Sequence, residues 1–272
     1  MENLIDENVT LKDIQTKDSN WIRMGTLIEN SIIGNNIFIN FRCTISNSII
    51  EDYVQIASKV HIGGTNHKTR IGSCSWIGAN ATIREGITIG KNCVIGANSI
   101  ITEDIPDNSI AYGKDELIVR IRSFKFNGYP SFRAALRKKL SLQRKGKYFK
   151  KGGDGNYNSA LILGDNYKIG EENILIGNQE TQGYIQIADN VEIGNKNIFE
   201  GAGKIKIGEG TKIKNNIHII SNSHDYQLST LPMIFQPVEI GANVVIEDDC
   251  IILGGIIIPD NTVIEKGSFV RK

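Results

Sequence analysis

The sequence predicts an all-β fold made of two parallel β-helices that are joined by a basic segment. First, residues 238–270 divide into six-residue words whose third residue is aliphatic, and the same period of six recurs in two separate runs of the chain. Second, Gly, Asn, Asp and Pro close most words, which predicts a turn after each short strand. Such a period fits neither an α-helix nor a plain alternating strand, so it indicates a three-sided solenoid with coils of about eighteen residues.

The first solenoid is expected over residues 22–122, after a polar cap of residues 1–21. Aliphatic residues recur at unbroken steps of six from Ile71 to Ile101, and the same steps run from Ile33 to Ile62 with one shorter step. The turn-rich residues that follow Thr102 end the coil. Residues 117–122 then have the composition of a short closing strand.

The second solenoid is expected over residues 157–272. Its pattern begins at Leu163, continues through Phe199 and, after a two-residue slip, resumes at Ile207. The words of residues 238–270 are its clearest part.

A basic segment, residues 123–156, separates the two solenoids. Between Glu116 and Asp154 there are twelve Lys or Arg residues and no acidic residue. Pro130 is suited to the first turn of a helix, and Phe132, Leu136 and Leu140 would share one face of it. The segment is interpreted as a linker helix that packs on one solenoid. Attraction to a phosphate-bearing ligand or to an anionic membrane surface is the less favoured alternative.

Composition limits the functional classes. The net charge is +1, and the basic segment lacks interleaved aromatic residues on a recognised module, so a nucleic-acid partner is not expected. No CxxC or HExxH spacing indicates a metal site, and none is expected. The N-terminus resembles no signal peptide and no run reaches membrane-spanning length, which leads us to expect a cytoplasmic protein.

The two halves carry matching histidine motifs. HIGGTNH at residues 61–67 corresponds to HIISNSH at residues 218–224, and these segments contain the four histidines of the chain. The hexads resume four residues after His67 but sixteen residues after His224. The second copy therefore contains an excursion of twelve extra residues, and long loops on rigid solenoids often carry function.

The segments around these motifs resemble a known family. SHDYQLSTLPMIFQPVEIGANVVI, and in the first copy SWIGANATIREGITIGKNCVIGANSIITEDIPDNSIAYG, are similar to the hexapeptide-repeat acyltransferases, especially the sugar and surface-polysaccharide O-acetyltransferases. The resemblance implies a left-handed coil, a homotrimer and acyl-coenzyme A, most often acetyl-coenzyme A, bound in the groove between subunits. Left-handedness comes from the resemblance alone, since it runs against the usual crossover rule.

Small residues indicate where the donor would bind. In the first copy Gly78 and Ala79 would stack beside Gly96 and Ala97, and a pantetheine arm needs such a flat strip. At the equivalent positions of the second copy stand Glu247 and Asp248. The predicted donor-binding residues of the first copy are Trp76, Gly78, Ala79, Gly96, Ala97 and Ser99.

Histidine suits acyl transfer because its near-neutral pKa lets it accept the proton of an attacking hydroxyl or amine. His67 and His224 are the candidate catalytic bases, and the donor strip favours His67 slightly. We expect His61 and His218 to be structural. The candidates for orienting the ring or the acceptor are Asn66, Asn222, Ser223 and Asp225.

The sequence therefore favours an acyl-coenzyme A-dependent O- or N-acyltransferase that acts on a sugar or glycan precursor. Two alternatives stay open. The chain could act on a non-sugar small molecule such as an antibiotic or serine, or it could be a non-catalytic double β-helix, a scaffold or binding protein with degenerate sites. Acceptor identity is not encoded in the repeats, because specificity in such folds depends on loops.

Overall fold

A computed structural model describes residues 2–132, 136, 150–152, 155–157, 160–178 and 182–272. The chain divides into two compact units. Unit 1 comprises Met1–Arg144 together with Tyr226–Pro232, and unit 2 comprises Lys145–Asp225 together with Met233–Lys272. Within the described ranges, no helix is long and apolar enough to cross a membrane.

The described residues of unit 1 contain nineteen short strands. They are β1 (Leu4–Ile5), β2 (Thr10–Lys12), β3 (Gln15–Thr16), β4 (Trp21–Ile22), β5 (Leu27–Glu29), β6 (Ile32–Ile33), β7 (Phe38–Ile39), β8 (Thr44–Ser46), β9 (Ser48–Ile50), β10 (Gln55–Ile56), β11 (His61–Gly63), β12 (Thr69–Ile71), β13 (Trp76–Ile77), β14 (Thr82–Ile83), β15 (Thr88–Ile89), β16 (Val94–Ile95), β17 (Ile100–Ile101), β18 (Ser109–Tyr112) and β19 (Ile118–Ile121).

These strands form the three faces of a parallel solenoid. Sheet A has the order β1-β4-β7-β10-β13-β16-β18-β19, sheet B the order β17-β14-β11-β8-β5-β2, and sheet C the order β15-β12-β9-β6-β3. Trp76 pairs with Val94, eighteen positions later, whereas Trp21 pairs with Phe38, seventeen positions later. The early coils therefore lack one residue at a turn, which explains the shorter step in the sequence.

One column of aliphatic residues per sheet fills the interior of unit 1. In sheet A, the side chains of Ile39, Ile56, Ile77 and Ile95 stack in register and are fully buried. Burial of each such side chain contributes about 1.5–3 kcal/mol. The hexad pattern predicted these positions because only the aliphatic third residue of each word points inward.

The turns between strands explain the frequent asparagines. Asn80 and Asn98 occupy equivalent turns one coil apart, and both have a positive φ, of 57° and 58°. Asparagine tolerates this left-handed conformation better than most residues with a side chain. The repeated turn residue thus lets the chain change direction at each corner.

One end of unit 1 differs from the sequence expectation, and the other agrees with it. Residues assigned to a cap form a coil instead, since Leu4 pairs in parallel with Trp21 and Leu11 with Ile28. The sparse apolar residues of this segment conceal its period. At the other end, β19 pairs antiparallel with β18 and ends sheet A, as predicted for a closing strand.

The start of the basic segment packs on unit 1. The Phe132 ring lies 5.6 Å from that of Phe38, and the Tyr129 ring stacks on that of Tyr53 at 5.1 Å. Leu136 is buried, and its N–H donates to the Phe132 carbonyl at 2.8 Å. Most of the predicted linker helix, including Leu140, lies outside the described residues, so the helix stays a prediction.

The strands of unit 2 are numbered on from those of unit 1. They are β20 (Lys150–Gly152), β21 (Gly155–Tyr157), β22 (Leu161–Leu163), β23 (Lys168–Ile169), β24 (Asn173–Gly177), β25 (Ile185–Ile187), β26 (Glu192–Ile193), β27 (Ile198–Gly201), β28 (Ile205–Ile207), β29 (Lys212–Ile213), β30 (His218–Ile220), β31 (Asn222–His224), β32 (Met233–Phe235), β33 (Val238–Ile240), β34 (Val245–Ile246), β35 (Ile251–Leu253), β36 (Ile256–Ile258), β37 (Val263–Ile264) and β38 (Phe269–Val270).

Unit 2 repeats the three-sided architecture. Sheet D has the order β20-β21-β24-β27-β30-β35-β38, sheet E the order β22-β25-β28-β33-β36, and sheet F the order β23-β26-β29-β34-β37. Leu175, Phe199, Ile219 and Ile252 stack in sheet D and are fully buried. The predicted all-β parallel solenoid is thus confirmed, while its left-handed winding stays a prediction.

Candidate active site

The two histidine loops leave equivalent corners of the two solenoids. In unit 1, the chain passes from β11 in sheet B through the His67 loop to β12 in sheet C. In unit 2, it passes from β30 in sheet D through the His224 excursion to β33 in sheet E. In both units the strand before the loop begins with the other histidine, His61 or His218. The topology therefore supports the alignment of the two motifs.

The His67 loop is short and rests on the next coil of unit 1. The Asn66 N–H donates to Glu85 Oε2 at 3.0 Å, and the Asn66 side-chain amide donates to Glu85 Oε1 at 3.1 Å. Gly86 lies beneath the histidine, and a Cβ added there would stand 3.1 Å from the His67 Cβ. The His67 side chain is exposed. The loop thus presents an imidazole to solvent on a fixed backbone.

Glu85 is a site residue that the sequence reasoning missed. Hydrogen bonds from Asn66, together with the nearby His67, hold the pKa of the Glu85 carboxyl below its usual range. Glu85 is therefore an anion at neutral pH, beside the candidate base. Its position could have been found by adding one coil of eighteen residues to His67.

His224 has a different setting in unit 2. Strand β31 pairs antiparallel with β32, and the register joins Asn222 to Phe235, Ser223 to Ile234 and His224 to Met233. The predicted orienting residues Asn222, Ser223 and Asp225 are partly buried, as is His224 itself. These four residues follow one another directly in the chain.

The two leading histidines differ from each other. His61 is exposed and lies between Thr44 and Thr82 in sheet B. His218 is completely buried, with its Nε2 2.9 Å from Glu200 Oε1. A buried imidazole beside a carboxylate is more suited to holding structure than to meeting a substrate.

The small residues of the first copy lie at the corner between sheets A and B. Register places Gly78 beside Gly96, and the Gly78 N–H donates to the Ile95 carbonyl at 2.9 Å. A Cβ on Gly78 would stand 2.5 Å from the Ala97 nitrogen, so close stacking of the coils itself requires glycine there. Gly78 and Ala79 are buried, whereas Gly96 and Ala97 are partly exposed.

Of the other two predicted donor residues, Trp76 is partly exposed on the strand that precedes this corner. Ser99 is buried, and its hydroxyl accepts a hydrogen bond from the Gly113 N–H at 3.2 Å. The Ser99 side chain therefore belongs to the interior of the turn. The accessible part of the corner is formed by Trp76, Gly96 and Ala97.

The equivalent corner of unit 2, between sheets F and D, carries charged side chains. Lys214 Nζ lies 2.5 Å from Glu247 Oε2, and the Asn215 N–H donates to Asp248 Oδ1 at 2.9 Å. The hydrogen bonds from Asn215 lower the pKa of the Asp248 carboxyl. Register places Glu247 and Asp248 beside Glu265 and Lys266, as the eighteen-residue coil predicted.

In unit 1, the small-residue corner and the His67 corner lie on opposite sides of sheet B, so one chain does not bring them to the same corner. A shallow depression of about 280 Å³ lies elsewhere, in unit 2, and none of the predicted site residues lines it. Among the described residues, no group of three or more His, Cys, Asp or Glu side chains is arranged to hold a metal ion.

Two segments match protein-family models. Residues 68–103 match "Bacterial transferase hexapeptide (six repeats)", and residues 237–272 match "Hexapeptide repeat of succinyl-transferase". The first match begins directly after His67, and the second begins at Pro237, where the chain returns to the solenoid after the His224 excursion. One hexapeptide-repeat model thus matches in each half of the chain.

Curated relatives match about a third of the chain. The galactoside O-acetyltransferase of Escherichia coli K12 is 38% identical over 106 residues, which are 32% of this chain and 52% of that protein. The galactoside O-acetyltransferase of Lactococcus lactis is 31% identical over 110 residues, which are 34% of this chain and 53% of that protein. The chain thus spans about half the length of the curated relatives it matches.

Among solved structures, the acetyltransferase domain of PglB from Neisseria gonorrhoeae, in complex with acetyl coenzyme A, has 25% sequence identity and a TM-score of 0.39. The match covers 41% of this chain and 54% of that one, and a score this low has no bearing on the site. The repeats and the curated relatives agree with the family that the sequence motifs predicted. Over the matched segments, this chain is similar to the hexapeptide-repeat acyltransferases.

Proposed function

We propose that this chain transfers an acyl group, in the simplest case acetyl, from acyl-coenzyme A to a hydroxyl or amine of a sugar or glycan precursor. The hexapeptide-repeat matches and the similarity to two galactoside O-acetyltransferases support the reaction class and the sugar acceptor. The observation that carries the proposal is the His67 loop. It combines an exposed imidazole with a backbone that Glu85 fixes in place.

The corner between sheets A and B of unit 1 suits the pantetheine arm of the donor. Gly96 and Ala97 offer a partly exposed surface without long side chains, and Trp76 stands next to it. At the equivalent corner of unit 2, Glu247 and Asp248 are ion-paired or hydrogen-bonded in the position that the arm would need. This difference favours donor binding along the first copy.

In the proposed reaction, the acceptor oxygen or nitrogen attacks the thioester carbonyl while the His67 imidazole takes its proton. The carbon–sulfur bond then breaks, the acyl group stays on the acceptor, and the proton passes to the coenzyme A thiolate. Correct placement of such a base contributes about 10²–10⁴-fold to the rate. Glu85 would keep the loop, and so the ring, in position.

We further propose a homotrimer with three equivalent sites. The support is the separation of the donor corner from the His67 corner by the width of sheet B. Contact between the donor corner of one copy and the His67 corner of the next would complete each site. Mass measurement in solution tests this, and a monomer at micromolar concentration with and without coenzyme A would contradict it.

Release of coenzyme A tests the activity directly. The four cysteines are buried, and burial raises the pKa of the thiols of Cys74, Cys93 and Cys250, so a thiol reagent should report coenzyme A with little background. The acceptors should include galactosides, amino sugars, serine and an aminoglycoside antibiotic. We expect release with a sugar and none from the His67→Ala, His224→Ala double variant. No acceptor-dependent release would overturn the proposal.

A further inference from the structure

Residues Tyr226–Pro232 follow His224 in the chain but pack as part of unit 1. The residues on either side of this segment, Asp225 and Met233, belong to unit 2. We name residues Tyr226–Pro232 the docked loop. Its partners in unit 1 lie along residues 122–128, which follow the closing strand β19.

Arg122 makes the central contacts with the docked loop. Its side chain is only 3% exposed. Its Nε donates to the Tyr226 carbonyl at 2.8 Å and its Nη2 donates to the Leu228 carbonyl at 2.9 Å. Its Nη1 donates to the Asn92 carbonyl, in a turn of the solenoid, at 2.9 Å. The planar guanidinium thus fixes two loop carbonyls to a coil of unit 1.

Further hydrogen bonds hold the rest of the docked loop. Ser229 is 4% exposed, and its hydroxyl accepts from the Asn127 N–H at 2.8 Å and donates to the Gly128 carbonyl at 2.7 Å. The Thr230 N–H donates to Asn127 Oδ1 at 3.0 Å. A segment with this many buried and directed contacts has few alternative positions.

We propose that Arg122 is a positioning residue for His224 and acts through the backbone of the docked loop. His224 pairs with Met233, the last pair of the hairpin before its connecting loop, and that loop is the part of the chain that Arg122 holds. Release of that connection would allow the hairpin and its imidazole to move. The expected effect on turnover rests on the proposed function, whereas the expected effect on the position of His224 does not.

The position of His224 can be measured by its rate of modification with diethyl pyrocarbonate, followed by mass spectrometry. We compare Arg122→Ala with Arg120→Ala, which alters a neighbouring arginine that is exposed on β19. In Arg122→Ala the rate at partly buried His224 should rise several-fold, while the rates at exposed His61 and His67 stay unchanged. An unchanged rate at His224 would overturn the proposal.

Modification of buried His218 would show that Arg122→Ala is misfolded. Two milder variants test the proposal in that case. Ser229→Ala removes one hydroxyl of the docked loop, and Arg122→Lys keeps the charge but loses the fork of donors. Both should raise the rate at His224 in an otherwise folded chain. Full protection of His224 in both of these variants would contradict the proposal.

Measurements of turnover distinguish the positioning of His224 by Arg122 from a general loosening of the fold. In a His67→Ala background, the residual turnover should depend on His224, and Arg122→Ala should lower it about ten- to hundredfold with little change in the KM for acyl-coenzyme A. In a His224→Ala background, Arg122→Ala should have no further effect. A further loss there would show that Arg122 acts by another route and would overturn the proposal.

Failure of the proposed function and failure of the positioning role of Arg122 give different results. If the wild-type chain transfers no acyl group, or if adding His224→Ala to the His67→Ala variant leaves the residual turnover unchanged, His224 has no catalytic role. The modification rates then decide by themselves whether Arg122 positions His224.

Discussion

At the B/C corner of unit 1, His67 is exposed on a short loop that hydrogen bonds to Glu85 in the next coil. At the equivalent D/E corner of unit 2, His224 is partly buried in a hairpin whose connecting loop is held by Arg122. The first loop is positioned by its own solenoid, one coil away. The second loop is held by hydrogen bonds from Arg122, which lies about a hundred residues earlier in the chain.

The A/B corner of unit 1 and the equivalent F/D corner of unit 2 also differ. Unit 1 has the partly exposed Gly96 and Ala97, whereas unit 2 has the Lys214–Glu247 ion pair. The same topology thus carries one copy with a partly exposed strip of small residues and another with a longer loop after its histidine. The corners of a solenoid can therefore differ in side-chain size and charge while its sheets keep the same order.

The largest expected effect separates the two histidines. His67→Ala should lower the turnover number about 100-fold or more, because the reaction loses its base, while donor affinity stays nearly unchanged. His224→Ala should have the smaller effect, and His61→Ala, at an exposed histidine of the same unit, serves as the control. Full activity of His67→Ala beside an inactive His224→Ala would reverse the assignment of the two copies.

A charge placed at the donor corner should have the next largest effect. Ala97→Glu would give unit 1 an acidic side chain where unit 2 has Lys266 in the equivalent turn. We expect the Kd for coenzyme A to rise about tenfold, because the carboxylate repels the phosphates and occupies the strip, and the repulsive part should shrink as salt rises. Calorimetric titration measures this.

The matched control is Lys266→Glu in unit 2. Donor affinity should not change in this variant if the donor binds along unit 1. Equal weakening by both substitutions would show that the two corners are equivalent and that the comparison has no functional meaning.

Glu85→Gln should have a moderate effect on turnover. The amide keeps one acceptor oxygen for Asn66 but loses the charge-assisted bond, so we expect about a fivefold lower turnover from a less fixed His67 loop. Glu103→Gln alters an exposed glutamate one further coil away and is the control. Equal activity of Glu85→Gln and wild type, measured across pH, would remove Glu85 from the site.

The smallest expected effect is on pH dependence. Hydrogen bonds from Asn66 lower the pKa of Glu85 from its ordinary value of 4.5. The folded state therefore favours the carboxylate, and its contribution is complete above about pH 4.5 and disappears as the pH falls through the lowered pKa. Protection of the His67 loop from hydrogen exchange, taken relative to the intrinsic exchange rate at each pH, should fall in that acidic range in the wild type. The same fall in Glu85→Gln would contradict this assignment.

Much of the fold could be predicted because the buried column of isoleucines leaves a direct trace in the sequence. Ile77 and Ile95 stack where the period of six placed them. The first coil was missed because its inward residues are few, although Leu4 and Leu11 pair with the next coil. Local periodicity thus predicts the regular coils and loses the irregular end.

The site was less predictable because its contacts are not periodic. His67 and the small residues were identified from motifs, and Glu85 could have been found from the coil length. Arg122 could not, since its partners Tyr226 and Leu228 are more than a hundred residues away and are contacted through backbone carbonyls, which leave no mark in the sequence.

A crystal structure with coenzyme A tests most directly whether the donor binds along the first copy. We expect the pantetheine arm to lie against Gly96 and Ala97 at the A/B corner of unit 1, with the thiol directed toward a His67 imidazole of a neighbouring subunit. Coenzyme A bound instead along Glu247 and Asp248 of unit 2, with the corner of unit 1 empty, would contradict it.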